Sequence, residues 1–292
     1  MSGNTGNDAD TGVWAYAITE HGQLSGRGTE ANLSWLAGVG GAKVRTVTCG
    51  EFAVLVSDVN LEEFGQAALR RNLENLDWLD VVSRRHHYVI DAAARLFPLL
   101  PTRLATVYLA DAAVCAALAS RREQLRDTLG RVGGRVEWGV KAYPTPEPGD
   151  TGAAPGGSGG ARAGAVPGPR TERAGGEGGG TSGAGLAYLK RRRGQLAADR
   201  ESRTAAVSGA RAVHAELSGR AAAARLHPPQ SPQLSGIRQP MLLNAAYLLD
   251  PADGASFAEA VTGQATSHPG LRIELTGPWP PYSFTGDEDD ER

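Results

Sequence analysis

Two adjacent histidines, His86 and His87, are the side chains of this sequence that most resemble a metal-binding pair. A metal site on one helix uses ligands three or four residues apart, whereas neighbouring helical residues point roughly 100° away from each other. The pair also follows Arg84 and Arg85, which are typical of a solvated helix edge. We therefore interpret the histidines as a polar helix edge, and the sequence predicts neither a metal ion nor another cofactor.

The carboxylates are spread along the chain without an evident partner for general acid–base catalysis. The sequence also lacks an ordered serine, histidine and aspartate set, a cysteine and histidine pair, a phosphate-binding loop and a zinc-protease motif. An enzyme would therefore need groups that only the fold brings together in a cleft. We predict no catalytic residue, no enzymatic activity and no small-molecule substrate. The carboxylates considered are Glu20, Asp77, Asp80, Glu137 and Glu259.

Charge favours a protein partner. The chain carries 30 Lys and Arg against 32 Asp and Glu, a net charge of −2, whereas a nucleic-acid binder needs a strong basic field. The densest basic run is Lys190-Arg191-Arg192-Arg193. Such a run contacts phosphate or an acidic protein surface, or, more commonly, forms a solvated helix face. We expect no nucleic-acid partner.

The cysteines and the absence of export signals predict a cytoplasmic protein. Cys49 and Cys115 form no CxxC pair and have no histidine at metal-ligand spacing, so we expect both to behave as small buried hydrophobic side chains. The first eleven residues lack a charged region followed by an apolar one, and no apolar run approaches the roughly 20 residues that span a bilayer. No membrane contact is expected.

Alternating apolar residues predict three strands in the first half, and helical spacing predicts three helices. The second and third strands form a hairpin, since Gly50 can adopt a positive φ without steric cost. Asn60 is placed to cap the first helix. In chain order we predict strands 13–19, 44–48 and 52–57, helices 61–73, 76–97 and 111–132, and an extended segment 102–109 that precedes the third helix.

The second half predicts a βαβαβ order, which is typical of a ferredoxin-like fold. Trp138 lies on the apolar core face of its first strand. Gly194, Gly209 and Gly219 weaken the long helix, so a bend or break is expected at one of them. A fourth strand is either the segment 102–109 or the end of the chain. The predicted elements are strand 135–143, long helix 186–226, strand 241–249, a short helix from Ser256 and strand 271–276.

The segment 275–284 contains three prolines and three aromatic residues. Proline lacks a backbone donor, so this segment neither continues a helix nor occupies a central strand. Its aromatic rings each bury roughly 150–250 Å² when they pack. We expect it to dock on the protein surface as an extended segment.

Composition divides the chain into an α+β protein of two domains. The glycine-rich and proline-rich segment 144–183 buries too little apolar surface to offset its ordering entropy, so it is predicted to be a flexible insertion. The predicted divisions are a disordered N-terminus 1–11, an N-terminal α/β domain with a small sheet 12–132, a C-terminal ferredoxin-like domain 133–286 that contains the insertion, and an acidic tail 287–292.

Five separated segments resemble motifs of the GvpL/GvpF family of gas vesicle proteins. The first, LPTRLATV, resembles the family's LPxRFGTV, with Leu104 and Ala105 in place of Phe and Gly. The others resemble its VEWGVK strand, YLxxR helix start, LNAAYLVD strand and LTGPWPPYSF ending. Their shared order and spacing make the resemblance specific, and it covers nearly the whole chain outside 1–10 and the insertion. The segments are 100–107, 136–141, 187–193, 243–250 and 275–284.

The resemblance implies a non-enzymatic accessory or minor structural protein of gas vesicles, located in the cytoplasm and at the vesicle. It also implies an N-terminal α/β domain, a ferredoxin-like C-terminal domain, and binding to the shell protein GvpA and other gas vesicle proteins. Candidate interaction residues within the matching motifs are Arg103, Trp279, Tyr282 and Phe284. The alternative function is a regulatory protein that senses a small molecule through the ferredoxin-like domain.

Overall fold

A computed structural model describes residues 10–25, 33, 35–145, 181–231, 236–237 and 239–286. Two antiparallel sheets and seven α-helices occur in these ranges, which confirms a mixed helix and sheet protein. Most of the predicted N-terminal segment 1–11, insertion 144–183 and acidic tail 287–292 lies outside the described residues. No helix in the described ranges is long and apolar enough to cross a bilayer.

The first sheet has the order β2-β3-β1-β4, and β5 also pairs with β1. β2 and β3 form the predicted hairpin, with Gly50 at φ 66° in its turn. The segment after Pro101 contributes β5 to this sheet, so it is not the fourth strand of the second sheet. The strands are β1 Thr11–Glu20, β2 Arg45–Cys49, β3 Phe52–Asn60, β4 Leu100–Pro101 and β5 Val107–Tyr108.

Five helices accompany the first sheet, and two of the predicted helices are each divided in two. Gly65 has extended backbone (ψ 162°) and separates α1 from α2, and Arg121 (φ −124°, ψ 24°) separates α4 from α5. The Asn60 side chain accepts a hydrogen bond from the Glu62 amide, which confirms the predicted N-cap. The helices are α1 Leu61–Phe64, α2 Gln66–Asn72, α3 Leu76–Ala94, α4 Asp111–Ser120 and α5 Arg122–Val132.

The second sheet has four antiparallel strands in the order β7-β8-β6-β9. Its fourth strand, β7, lies where the sequence predicted the end of the long helix. The helix ends at Ser218, just before Gly219, and the chain then pairs with β8. The elements are β6 Val136–Pro144, α6 Thr181–Ser218, β7 Ala223–Leu226, β8 Leu243–Leu249, α7 Gly254–Ser267 and β9 Leu271–Trp279.

One buried apolar cluster, which we call the shared core, contains residues of both sheets. Tyr247 of β8 packs toward Val213 of α6 and Phe257 of α7, whereas Leu248, its neighbour, points to the opposite face. Leu248 belongs to the same buried cluster as Val114, which also contains residues of β1 and β3 from the first sheet. Because successive strand residues face opposite sides, β8 is buried on both faces. This packing joins the first half of the chain to the second.

Cys49 and Cys115 form a disulfide, which corrects the prediction of two separate hydrophobic side chains. Cys49 ends β2 and Cys115 lies on α4, 66 residues further along the chain. This pairing was not predictable from local sequence, because the packing of α4 against the sheet brings the two residues together. Arg45, also on β2, bonds the carboxylate of Asp111 on α4 at 2.8 Å and so ties the same two elements.

Candidate protein-interaction surface

The residues that follow β9 cross from one half of the protein to the other. β9 lies at the edge of its sheet, where prolines are tolerated because an edge strand leaves backbone donors unpaired. Gly277 has φ 123°, and a Cβ on it would lie 2.8 Å from the carbonyl oxygen of Glu137, so this position requires glycine. After β9 the chain forms a short 3-10 turn, Tyr282–Phe284. We call residues 280–286 the C-terminal latch.

Ser283 fixes the latch to the second sheet. Its backbone amide and its hydroxyl donate to the two carboxylate oxygens of Glu137 at 2.8 and 2.7 Å. Its carbonyl accepts from the Arg225 guanidinium at 2.7 Å, and its hydroxyl lies 3.0 Å from Nε2 of His227. Burial raises the pKa of Glu137, and the hydrogen bonds from Ser283 partly offset this effect. Glu137 of β6, Arg225 of β7 and His227, which follows β7, therefore all contact Ser283 and hold it in place.

His87 and the shared core fix the latch to the first half. The Tyr282 ring stacks on His87 with centroids 5.7 Å apart, and its hydroxyl is 3.1 Å from Nδ1 of that histidine. Burial raises the pKa of Tyr282. The Trp279 ring also packs on His87 in an edge-to-face arrangement, with the ring centroids 5.4 Å apart. Phe284 is only 8% exposed and belongs to the cluster that joins the two sheets.

The four predicted interaction residues lie close together but differ in accessibility. Arg103 is exposed and lines a cavity of about 280 Å³ together with Tyr282. Trp279 is 42% exposed. Tyr282 is half-buried, and Phe284 packs inside the protein's own core. Arg103 and Trp279 therefore face solvent, whereas the other two hold the latch in place.

The adjacent histidines serve different partners. The Trp14 indole nitrogen donates to Nδ1 of His86 at 3.0 Å, so the proton of this neutral ring is on Nε2. Nε2 in turn lies 3.3 Å from the carbonyl oxygen of Thr102, to which it donates. Burial lowers the pKa of His86 to about 4 and keeps it neutral. His87 instead faces the latch. His86 is thus a buried core residue and not part of a polar helix edge, which corrects the prediction for that residue.

The first part of α6 carries exposed leucines that the sequence analysis did not single out. Every side chain described between residues 186 and 205 is exposed, and the first buried one is Ala206. Leu186, Leu189 and Leu196 are 58%, 62% and 48% exposed. We call residues 186–205 the α6 arm. The spacing of its leucines, three and then seven residues, was the available signal, because such positions share one helix face.

The basic run belongs to the same arm. Lys190, Arg191, Arg192 and Arg193 are all exposed, as both a solvated face and a contact with an acidic surface require. A helical stretch of this length with no buried side chain among its described residues is unusual, since an isolated helix is only marginally stable in water. A partner that binds the arm would therefore stabilise this part of the helix.

Comparisons with known proteins converge on one family. A family model described as gas vesicle synthesis protein GvpL/GvpF matches residues 12–286. Gas vesicle protein L of Streptomyces sp. (strain CB03234) is 37% identical over 249 residues, which span 85% of each chain. The crystal structure of the gas vesicle protein GvpF from Anabaena sp. PCC7120 superposes with a TM-score of 0.59 at 20% identity, over 95% of this chain and 97% of that one.

A second crystal structure, of GvpF from Microcystis aeruginosa, has a TM-score of 0.57 at 15% identity and covers 94% of this chain and 99% of that one. At such identities the two structures establish a common fold only. The match to the family model, residues 12–286, includes the latch and the segment that carries Arg103.

Proposed function

Because the chain belongs to the GvpL/GvpF family of gas vesicle proteins, we propose that it is a non-enzymatic accessory protein that binds the shell protein GvpA and other gas vesicle proteins during assembly. Its family gives it a gas vesicle-related role. The proposal adds the partner, the stage at which it acts and a location in the cytoplasm and at the growing vesicle.

An accessory protein of this kind would protect the shell subunit, which is very apolar and prone to aggregate before it assembles. Exposed apolar surface drives aggregation of a protein that has not yet reached its final contacts. A partner that covers this surface and releases it at the growing shell keeps the subunit available. Binding of this kind needs an accessible apolar surface on the accessory protein, and it needs no catalytic group.

The α6 arm is the observation that carries this proposal. It presents Leu186, Leu189 and Leu196 to solvent on a stretch of helix whose described side chains are all exposed. An apolar helix face that docks into a groove is a common mode of protein recognition. We infer that the arm is the first contact for the shell protein, and that Arg103 and the exposed Trp279 form a second contact area next to the latch.

The two halves of the protein have separate tasks in this proposal. The order βαββαβ and the antiparallel arrangement of the second sheet support a ferredoxin-like domain at residues 133–286, which carries the arm. The preceding α/β domain, residues 12–132, supplies Arg103 and the His87 surface that receives the latch. The shared core and the latch keep the two contact areas at a fixed separation.

Co-expression with the GvpA-type shell protein of the same host tests this proposal. The wild-type chain, tagged, is expected to recover the shell protein. The double variant Leu189→Glu, Leu196→Glu changes only exposed positions, so it should fold normally and lose at least about tenfold of the recovered shell protein, a difference of about 1.4 kcal/mol in binding. Leu109→Glu is the matched control, since Leu109 is 75% exposed and lies off the arm.

Two results would overturn parts of the proposal. Full recovery by the arm variant would remove the arm from the contact. Failure of the wild type to recover the shell protein or any other gas vesicle protein, with both partners soluble, would reject the assembly function and favour a sensing role.

A further inference from the structure

Within the described residues, β9 pairs with another strand along only one of its sides. That side faces β6, and β9 ends the sheet order β7-β8-β6-β9. The strand is nine residues long, Leu271–Trp279. A long edge strand presents a row of amide and carbonyl groups to which a further strand bonds readily. The open side of β9 is therefore a surface for strand addition.

The sheet register identifies the backbone groups on this open side. Ala142 of β6 lies opposite Ile273, and its carbonyl accepts from the Leu242 amide at 2.8 Å, on the side of β8. In an antiparallel pair, two opposite residues direct their backbone groups either both toward or both away from each other. Since Ala142 faces β8, the backbone groups of Ile273 point to the open side. Those of Leu271 and Leu275, two residues to either side, point the same way.

The side chains of β9 carry opposite charges on one face. Arg272 and Glu274 lie on either side of Ile273 and form an ion pair, with Nη2 and Oε1 2.6 Å apart. Their side chains are 46% and 40% exposed. The alternate residues Leu271, Ile273 and Leu275 belong to or pack against the apolar cluster of α6 and α7. The exposed face of β9 therefore has one positive and one negative charge placed symmetrically about Ile273.

A second copy of the same strand matches this charge pattern when it runs antiparallel. With a two-fold axis beside Ile273, residue 272 of each copy lies opposite residue 274 of the other. Arg272 then faces Glu274 of the partner subunit, and Glu274 faces Arg272 of the partner subunit. Opposite residues in neighbouring strands have Cβ atoms about 4.5–5.5 Å apart, which is within reach of an ion pair. Both charges of each copy thus gain a partner of opposite sign.

The backbone groups match in the same register. The Ile273 amide of each copy donates to the Ile273 carbonyl of the other, because this position has both groups on the open side. The Leu275 amide of each copy likewise donates to the carbonyl of residue 271 in the other. The Leu271 amide is excluded from this pairing, since it already donates to the His268 carbonyl at 2.8 Å.

We propose that the open side of β9 is a dimerisation surface, and that its partner is β9 of a second copy of this chain, paired antiparallel about Ile273. The four described strands of each copy then form one continuous sheet of eight. The reciprocal charges at 272 and 274 select a second copy, because a strand of another sequence fits only with the same charge order. This inference does not depend on the assembly function.

A pair of charge-reversal variants tests the register. Sedimentation equilibrium of the full-length wild type is expected to show a concentration-dependent dimer. Arg272→Glu and Glu274→Arg each place like charges opposite one another at both reciprocal positions, so each variant alone should self-associate at least about tenfold more weakly. An equimolar mixture of the two variants should dimerise again, because charges of opposite sign then face each other across the interface.

The mixture separates contact between copies from effects within one copy. Neither variant regains the ion pair between its own residues 272 and 274, so renewed dimerisation of the mixture arises only between chains. Arg220→Glu is the matched control, since it breaks another exposed ion pair, with Glu216 of α6, and should leave self-association unchanged. Urea unfolding checks that each variant is folded. In the wild-type dimer, the amides of Ile273 and Leu275 should exchange hydrogen more slowly than in the monomer.

Three results would overturn the proposal. One is a wild type that remains monomeric up to about 1 mM. Another is a dimer that both charge reversals leave unchanged, which would place the interface elsewhere. The third is a mixture of the two variants that stays monomeric although the wild type dimerises, which would reject the antiparallel register about Ile273.

Discussion

Replacing Phe284 by alanine should destabilise the whole protein, although this residue lies only a few positions beyond the last strand. Its ring is 8% exposed and belongs to the cluster that contains Leu248 of the second sheet and Val114 of α4. Truncation of a buried phenylalanine costs about 3–5 kcal/mol. We expect about 3 kcal/mol here, at the lower end, because a short terminal turn relaxes more easily than a strand.

Urea unfolding followed by far-UV circular dichroism measures this loss. For a domain of similar size, a loss of about 3 kcal/mol lowers the melting temperature by roughly 6–12 °C. Trp279→Ala is the matched control, since it removes a larger ring from the same segment at a position that is 42% exposed. We expect the control to change the unfolding free energy by less than about 1 kcal/mol.

The comparison of these two variants tests the distinction between latch and contact residues. If Phe284→Ala and Trp279→Ala destabilise the protein equally, or if Phe284→Ala costs less than about 1 kcal/mol, the latch does not join the two halves as described. If the distinction is correct, Trp279→Ala reduces recovery of the shell protein without loss of stability.

Three further predictions concern stability. Reduction of the Cys49–Cys115 disulfide, which closes a loop with a sequence separation of 66, should lower the free energy of unfolding by up to about 4 kcal/mol through the entropy of the unfolded chain; reductant should have no such effect on a variant with alanine at both positions. Burial raises the pKa of Glu137 above 4.5, so the folded state retains the proton more strongly than the unfolded state. Relative to Glu137→Gln, the wild type should therefore lose stability as pH rises from below 4.5 through the raised pKa. Urea unfolding between pH 4 and 8 measures the free energy of unfolding of both proteins. If the value for the wild type minus that for the variant grows with pH, the reasoning is wrong. His86 has the reverse sign, because its pKa falls from 6.5 to about 4 on folding: stability should decrease by about 3 kcal/mol as pH falls from above 6.5 to 4, and His86→Gln should abolish that slope.

Features that depend on a few neighbouring residues were predictable from the sequence. Apolar alternation located β1, β3 and β6, and a compact apolar run located β8, because one or both faces of these strands are buried. The Asn60 cap and the Gly50 turn depend on local backbone geometry, and both were predicted correctly. The prolines correctly excluded the segment 275–284 from an α-helix and from a central strand. The prediction of one extended docking segment was wrong in part, because residues 275–279 complete the edge strand β9 and Tyr282–Phe284 form a 3-10 turn.

Other features were missed because local propensity was too weak to decide them. β7 is four residues of alanine, arginine and leucine, which favour a helix in isolation. Pairing with β8 overrides that preference, since the edge of the sheet offers backbone hydrogen bonds that a helix end after Gly219 does not. The division of two predicted helices at Gly65 and Arg121 has a similar cause, as each short piece follows the surface on which it packs.

The candidate site was only partly accessible from the sequence. Motif resemblance predicted Arg103, Trp279, Tyr282 and Phe284 as interaction residues, and this stays a prediction. It did not separate the two exposed residues from the two that anchor the latch. Their exposure depends on His87 and on the shared core, which lie far from the latch along the chain.

The sequence by itself determined the family, the position of most strands and the presence of an apolar segment that must dock. These follow from residue types and short spacings. Only the tertiary structure decided that Cys49 meets Cys115, that Ser283 meets Glu137 and that every described side chain of the α6 arm is exposed. The first two contacts join residues at least 66 positions apart, and exposure depends on how the elements pack. The packing of the sheets sets these features, and a local sequence pattern does not.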